Sequence, residues 1–403
     1  VIASIFIAFR GIMTSTTPAV PPGISPIPPA LPPVPAAPSL TTHQVASGIA
    51  RWAVQRGLLP QLPKDVDDTY LAAVDPISLP SNAEAILRHR GLDSITYNEV
   101  SNLIYLYTAR KVSQKDLKSL PPAIFRKGLA YTHGVVDAVG KDQLRSQGAT
   151  FATHSTSAGD HYACGSSISP GNDRSAGTLG ALVRLPDGKI YGLTNNHVSA
   201  LCSHVLPGTP ILAPGVLDVA PGGLPPFTLG FHSHALEMHV GSVGNVDIAS
   251  NTDAALLLIG DTAYVSSMQG GSFDTPLIIA DPIEGMKVEK VGRTTRHTRG
   301  QIVSRSLRPA GITYEAKSYG FSGTIWFGNV FVVHGLGTEF SLAGDSGSLV
   351  VQVDDNGHPI AAVGLIFAGG DDSSAPGGAR SLILPIRPIL EAWGANLVGG
   401  HNV

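Results

Sequence analysis

The residues best suited to chemistry sit in one decapeptide, Ser341-Leu-Ala-Gly-Asp-Ser-Gly-Ser-Leu-Val350, built around Gly344-Asp345-Ser346-Gly347. A serine hydroxyl is a poor nucleophile. To attack a carbonyl, Ser346 needs a tight turn exposing its oxygen, backbone N–H groups aimed at the developing oxyanion, and a base nearby. The flanking glycines permit backbone geometry that other residues resist. Gly-Asp-Ser-Gly is also ordinary turn chemistry, so the tetrapeptide gains weight only from partners elsewhere in the chain.

The best candidate base is His197. It ends the apolar run Ile190-Tyr-Gly-Leu-Thr-Asn-Asn-His-Val-Ser-Ala200, so a strand would fix its backbone while the ring faces a cleft. That placement distinguishes it among 14 histidines. A base of this kind works with a buried carboxylate that accepts from its other nitrogen and selects the tautomer. Asp253, heading Ala-Ala-Leu-Leu-Leu-Ile259, and Asp247, in Asn245-Val-Asp-Ile-Ala249, both qualify. The longer hydrophobic run favours Asp253, whose carboxylate would be desolvated there.

These residues need strands to hold them. With 43% hydrophobic and 14% charged residues, 46 glycines and 31 prolines, the 403-residue chain is a folded, turn-rich, mainly β protein of two or three units. Short apolar strands are predicted at 178–185, 190–194, 254–259, 286–291, 300–304, 330–333, 349–353 and 360–367. Gly, Pro and Asp turns separate them, the rhythm of an antiparallel barrel or sandwich.

Thr194-Asn-Asn-His-Val198, Asp253-Ala-Ala-Leu and Gly344-Asp-Ser-Gly-Ser348, in that order, resemble the trypsin/chymotrypsin-like serine peptidase family, nearer its bacterial or intracellular branch than its digestive enzymes. The resemblance covers about residues 160–395. It implies a chymotrypsin-like double β-barrel with His197 and Asp253 from the first barrel and Ser346 from the second. It also implies an oxyanion hole from the N–H groups of Gly344 and Ser346. The stretch Val363–Gly370 resembles the strand that pairs with substrate and walls the specificity pocket, which puts Phe367, Ala368 and Gly369 against substrate. Phe340, six residues before the nucleophile, would sit at the pocket base, disfavouring basic P1 side chains and favouring apolar or small ones. The implied activity is serine endopeptidase hydrolysis of a protein or peptide substrate, with no metal and no organic cofactor. A catalytically silent scaffold on the same fold, or a peptidase acting mainly on itself near 140–160, are the competing readings. One departure is plain. Some 160 residues precede the domain, and Thr178-Leu-Gly-Ala181 is no cleaved N-terminus, so Asp345 needs another partner or solvent.

The rest of the chain frames this domain. Residues 1–41 hold ten prolines between Pro18 and Pro38 and predict a disordered tether or docking tail. Residues 42–147 predict a small module. It has a helix over 42–58 opened by a Thr41/Gln44 capping box, a loop, a second helix from Ser81 to Gly91, and a β-α-β unit over 102–136. A net charge of −3 carries no footprint for nucleic acid, and no basic run points to a membrane. The apolar opening Val1–Phe9 is about half a membrane span and lacks a basic leader, predicting a cytoplasmic chain while leaving secretion open. Cys164 and Cys202 make no metal site by spacing and read as two free buried thiols, or as one bridge in an oxidising compartment. Phe231-His-Ser-His-Ala-Leu-Glu-Met-His239 has no standard metal spacing and reads as solvated loop histidines. The basic run Glu289–Arg299 reads as a turn with arginines solvated or paired to carboxylates. Oligomeric state has no sequence signal.

Overall fold

The structure, a computed structural model, describes residues 39–137, 152–246, 248 and 251–403. The proline-rich segment before residue 39, residues 138–151 of the expected irregular stretch, and the competing acid Asp247 lie outside the described residues.

Two β-barrels form the body, giving a mainly β, chymotrypsin-like architecture. In the first, hydrogen-bonded neighbours follow the order Ala181–Arg184, Ile190–Thr194, Ala255–Ile259, Phe227–Ala235, Pro210–Ala213 and Ser167–Pro170, antiparallel at each step. Ala255–Ile259 is a continuous apolar run because both faces are covered, with Leu256 in one core cluster and Leu257 in another. The second barrel closes on itself. Lys287–Gly292 pairs with Leu349–Val353, and pairing continues through Pro359–Asp371, Ala379–Pro385 and Phe331–Gly335 to Arg296–Ser306. Arg296–Ser306 then returns to Lys287–Gly292, which leaves this ring no edge. Two of the eight predicted strands match at both ends, Ile190–Thr194 and Leu349–Val353. Others run longer, notably Pro359–Asp371.

The N-terminal half is also helical where the pattern predicts. Thr42–Gln55 begins with the Thr41/Gln44 capping box, and Ser81–Arg90 ends at a left-handed Gly91. Leu103–Thr108 and Lys127–His133 pair in parallel, with the helix Gln114–Ser119 between them in the chain. Two features depart from expectation. Lys64–Tyr70, expected as loop, is a short helix that follows Pro63 and carries Asp65 and Asp67 in its first turn. Leu92–Asn98 is an unanticipated strand. It pairs with Leu103–Thr108 on one side and with Arg296–Ser306 of the second barrel on the other, so one sheet runs through both. Thr96 Oγ1 donates to Ser304 Oγ at 2.8 Å across that seam. Aliphatic and aromatic side chains of this half, among them Ile49, Trp52, Leu87, Ile95 and Leu106, make a buried core that includes Leu307. Among the described residues no helix is long and apolar enough to cross a membrane.

Candidate active site

The strand Ile190–Thr194 ends where Asn195 turns the chain into a single helical turn, Asn196–Ser199, and His197 sits on that turn. Asn195 Nδ2 donates to the Asp253 carbonyl at 2.6 Å, and Asn196 Nδ2 to the Leu236 carbonyl at 2.7 Å. The two asparagines thus pin the turn to the strand entrance that carries Asp253. Asp253 is fully buried and holds the histidine at two points. Its Oδ1 accepts from the His197 backbone N–H at 3.0 Å, and its Oδ2 lies 2.5 Å from His197 Nδ1. A carboxylate at Nδ1 selects the tautomer that leaves Nε2 as the acceptor.

Oδ2 has a second partner that sequence reasoning missed. The Tyr314 hydroxyl donates to it at 2.9 Å, and the Tyr314 ring lies 5.3 Å from the imidazole, centroid to centroid. Tyr314 belongs to the hairpin Ala310–Ala316/Phe321–Phe327, inserted between two strands of the second barrel. Burial pushes its pKa well up, and the neighbouring Asp253 charge adds to that, so the phenol stays a donor. Alternating burial along Ile312, Tyr314 and Ala316 is a period-2 signal for an inward-facing tyrosine, but nothing local names Asp253 as its partner.

Ser346 is reached from the other barrel. Gly344 and Gly347 have φ of 98° and 93°, in the region that favours glycine. A Cβ on Gly347 would lie 2.4 Å from the Thr178 carbonyl oxygen and from Thr194 Oγ1. That close approach joins the barrels. The Thr178 N–H donates to the Ser346 carbonyl at 2.9 Å, and Thr194 Oγ1 to the Thr178 carbonyl at 2.7 Å. Ser346 is therefore tied to the strand end that presents His197. Among the described residues its hydroxyl has no hydrogen-bond partner, the imidazole included. The serine–histidine bond of an acyl-transfer site is commonly long without substrate and tightens in the complex. Around it the turn spends its other N–H groups internally: Asp345 to Leu342, Gly347 to Ile366 and Ser348 to Asp345. Among the described residues the N–H groups of Gly344 and Ser346 have no acceptor, the condition an oxyanion hole requires.

Asp345 does have a partner. Its Oδ2 lies 3.3 Å from Lys290 Nζ, both side chains fully buried, and it accepts from Leu342 N–H, Thr294 N–H and Thr295 Oγ1. Lys290 Nζ also bonds Thr295 Oγ1 and the Arg296 carbonyl. Burial pulls the lysine pKa down while Asp345 pulls it up, with burial the larger effect. An internal ammonium thus braces the nucleophile turn, with no chain terminus needed. Nothing local signals it, because Lys290 is one of three charged residues in the strand Lys287–Gly292. The rest of that basic run pairs as expected, with Arg293 Nε donating to buried Asp218 at 2.6 Å and His297 bonding Glu289 at 2.9 Å.

A cavity of about 160 Å³ opens beside Ser346, lined in part by Ser341, Ala368 and Gly369. Two residues expected there are elsewhere. Phe340 is buried in the second-barrel core with Val288, Ile302 and Val333; its ring lies over Gly300, where a Cβ would come within 2.7 Å of it. Phe367 marks a register shift between Ile366 and Ala368, and its ring packs on Phe327 with centroids 5.0 Å apart. Its neighbours on both sides line the cavity while it faces the core, as strand alternation requires. The free edge at Gly369 and Gly370 pairs antiparallel with Asp137 and Val136 from the N-terminal half.

Other expected features resolve as follows. Cys164 and Cys202 are separate buried thiols, and burial pushes Cys164 up to about 12. The histidine-rich stretch is only in part a solvated loop, with His234 and His239 exposed. It lies largely on the strand Phe227–Ala235, where His232 is buried and burial lowers its pKa to about 4. Among the described residues no three His, Cys, Asp or Glu side chains gather as a metal site would require.

Comparison with known proteins gives two kinds of likeness. The profile of the Nal1 C-terminal domain matches residues 272–380, within the second barrel. Protein NARROW LEAF 1 of Oryza sativa subsp. japonica is 25% identical over 371 residues, 81% of this chain. The chain spans 60% of that relative's length. Among solved structures, Thermobifida fusca Protease A shares 18% identity over 59% of this chain and 100% of its own, with a TM-score of 0.39. Nocardiopsis Protease matches 58% of this chain and 97% of its own at 18% identity and a TM-score of 0.37. The fold assignment rests on the strand pairing described above.

Proposed function

We propose that this chain is a serine endopeptidase acting through His197, Asp253 and Ser346. The reading is supported by two independent features whose strands are linked through Thr178 and Thr194. Asp253 holds a histidine through Nδ1, and a serine turn from the other barrel keeps two N–H groups unspent. In the reaction, the Ser346 oxygen attacks a peptide carbonyl carbon while His197 Nε2 takes its proton. The tetrahedral oxyanion is bound by the Gly344 and Ser346 N–H groups. Collapse breaks the C–N bond, and His197 returns the proton to the leaving amine. Water then repeats the sequence on the acyl-enzyme, with His197 as base. Asp253, hydrogen-bonded by the Tyr314 hydroxyl, stabilises the imidazolium.

The Asp345–Lys290 pair supports a turn that is formed without cleavage of the chain, hence a constitutively assembled site. A second reading, a peptidase fold used as a silent scaffold, is favoured by the strand Val136–Asp137 lying on the edge a substrate would use. Hydrolysis of a casein-derived peptide mixture by the purified chain, with Ser346→Ala as control, separates them. Cleavage lost in the variant supports the enzyme. Equal cleavage by both proteins, or none by either, contradicts it.

A further inference from the structure

Arg380 sits in the wall of the cavity beside Ser346 and is 2% exposed. Its known contacts are few. The guanidinium carbon lies 3.6 Å from the centroid of the Tyr107 ring, and Nη2 donates to the Gly134 carbonyl at 3.0 Å. Nε is buried without a hydrogen-bond partner among the described residues. Among the described residues no carboxylate stands within ion-pair distance of it. The nearby buried acid, Asp372, is spent on others: Tyr107 and His334 on Oδ2, Thr132 and Ser374 on Oδ1. Asp371 also lines the cavity, but it is exposed and its charge is screened by water.

A buried cation with one aromatic face and one carbonyl is only partly compensated. Filling the cavity with an apolar side chain would leave that deficit in place, and a basic one would add repulsion. A carboxylate supplies the missing charge and an acceptor for Nε. Ser341 Oγ, 2.5 Å from Ser381 Oγ in the same wall, offers a further donor.

We propose that the cavity beside Ser346 is a P1 pocket for an acidic side chain, glutamate or aspartate, with Arg380 as the specificity-determining residue. The proposal rests on the peptidase reading and replaces the small or apolar preference expected from Phe340. Arg380 also borders a larger cavity of about 420 Å³ facing the inserted hairpin, away from Ser346. An anion held there would leave P1 preference untouched, so P1 preference is the quantity to measure.

The test uses two peptidyl aryl phosphonates that differ only at P1, Glu in one and Phe in the other. A fluorophosphonate with no P1 side chain is the third probe. The rate of covalent modification of Ser346 is followed by mass spectrometry on the full chain. In the wild type the Glu probe should react about 10- to 100-fold faster than the Phe probe, the scale of a hydrogen bond to a charged group. In Arg380→Gln and Arg380→Met that ratio should fall to about one or below. The ratio is internal to each variant, so partial misfolding does not mimic the result. A wild-type preference for Phe, or a ratio unchanged in both variants, overturns the acidic pocket while fluorophosphonate labelling keeps the peptidase. Failure of all three probes on wild type overturns both.

Discussion

Two buried aspartates in this molecule have collected nearly the same companions. Asp253 takes a tyrosine hydroxyl at 2.9 Å and a histidine nitrogen at 2.5 Å; Asp372 takes them from Tyr107 at 2.8 Å and His334 at 2.9 Å. They differ in what lies beyond the histidine. The His197 side chain is 21% exposed, on a turn that follows the strand end tied to Ser346 through Thr194 and Thr178. His334 is 9% exposed, on a strand of the second barrel, and its acid is further saturated by Thr132 and Ser374. An Asp-His-Tyr set is therefore not a site in itself. One group leaves its ring partly exposed at a strand end; the other joins the N-terminal half to the barrel and the cavity wall.

Mutating the two sets should separate them. Ser346→Ala and His197→Ala should each lower kcat by about 10⁴- to 10⁶-fold, and the double variant little further, because the residues act as a unit. Steady-state kinetics on a cleaved peptide checks this, and His334→Ala should cost less than about tenfold in the same assay. Asp253→Asn should follow at about 10⁴-fold, through the wrong tautomer. Lys290→Met leaves Asp345 charged and buried, and should cost about 3–5 kcal/mol in urea unfolding together with activity. Tyr314→Phe should lower kcat by about tenfold with KM little changed, since it removes one hydrogen bond to the charged acid.

The smallest effect is a pH dependence. Burial acts to raise the Asp372 pKa, but hydrogen bonds from His334, Ser374 and Thr132 outweigh it and hold the carboxyl below its ordinary 3.8. A pKa depressed by folding gives stability that is complete above the unfolded value and drains as pH falls below about 4. Thermal melts should therefore lose stability more steeply below pH 4 in the wild type than in Asp372→Asn. Parallel slopes would contradict that role.

Much of this was legible before any coordinates. The apolar runs at 190–194 and 349–353 set their own strands, and a single turn after Thr194 left His197 at a strand end as its position suggested. The Asp253 run, buried on both faces, behaves as its length predicts. What escaped was long-range partnership. Tyr314 declares its burial by alternation and Lys290, in a strand with two other charges, declares nothing; neither names its acid, 61 residues away in one case and 55 in the other. Leu92–Asn98 escaped because its mixed polar pattern becomes a strand through partners on both sides, Leu103–Thr108 and Arg296–Ser306. Phe340 and Phe367 were misplaced because aligning a position says nothing of which way a ring turns: Gly300 leaves room for Phe340 in the core, and strand alternation turns Phe367 onto Phe327.

The central claim is that the Ser346 hydroxyl is activated in this crevice. Intact-mass spectrometry after brief exposure to a fluorophosphonate measures it directly. The account predicts one stoichiometric adduct, mapped to Ser346, formed on the wild type and absent from His197→Ala, whose serine is still present. Unmodified wild-type protein, or equal labelling of both proteins, would contradict it.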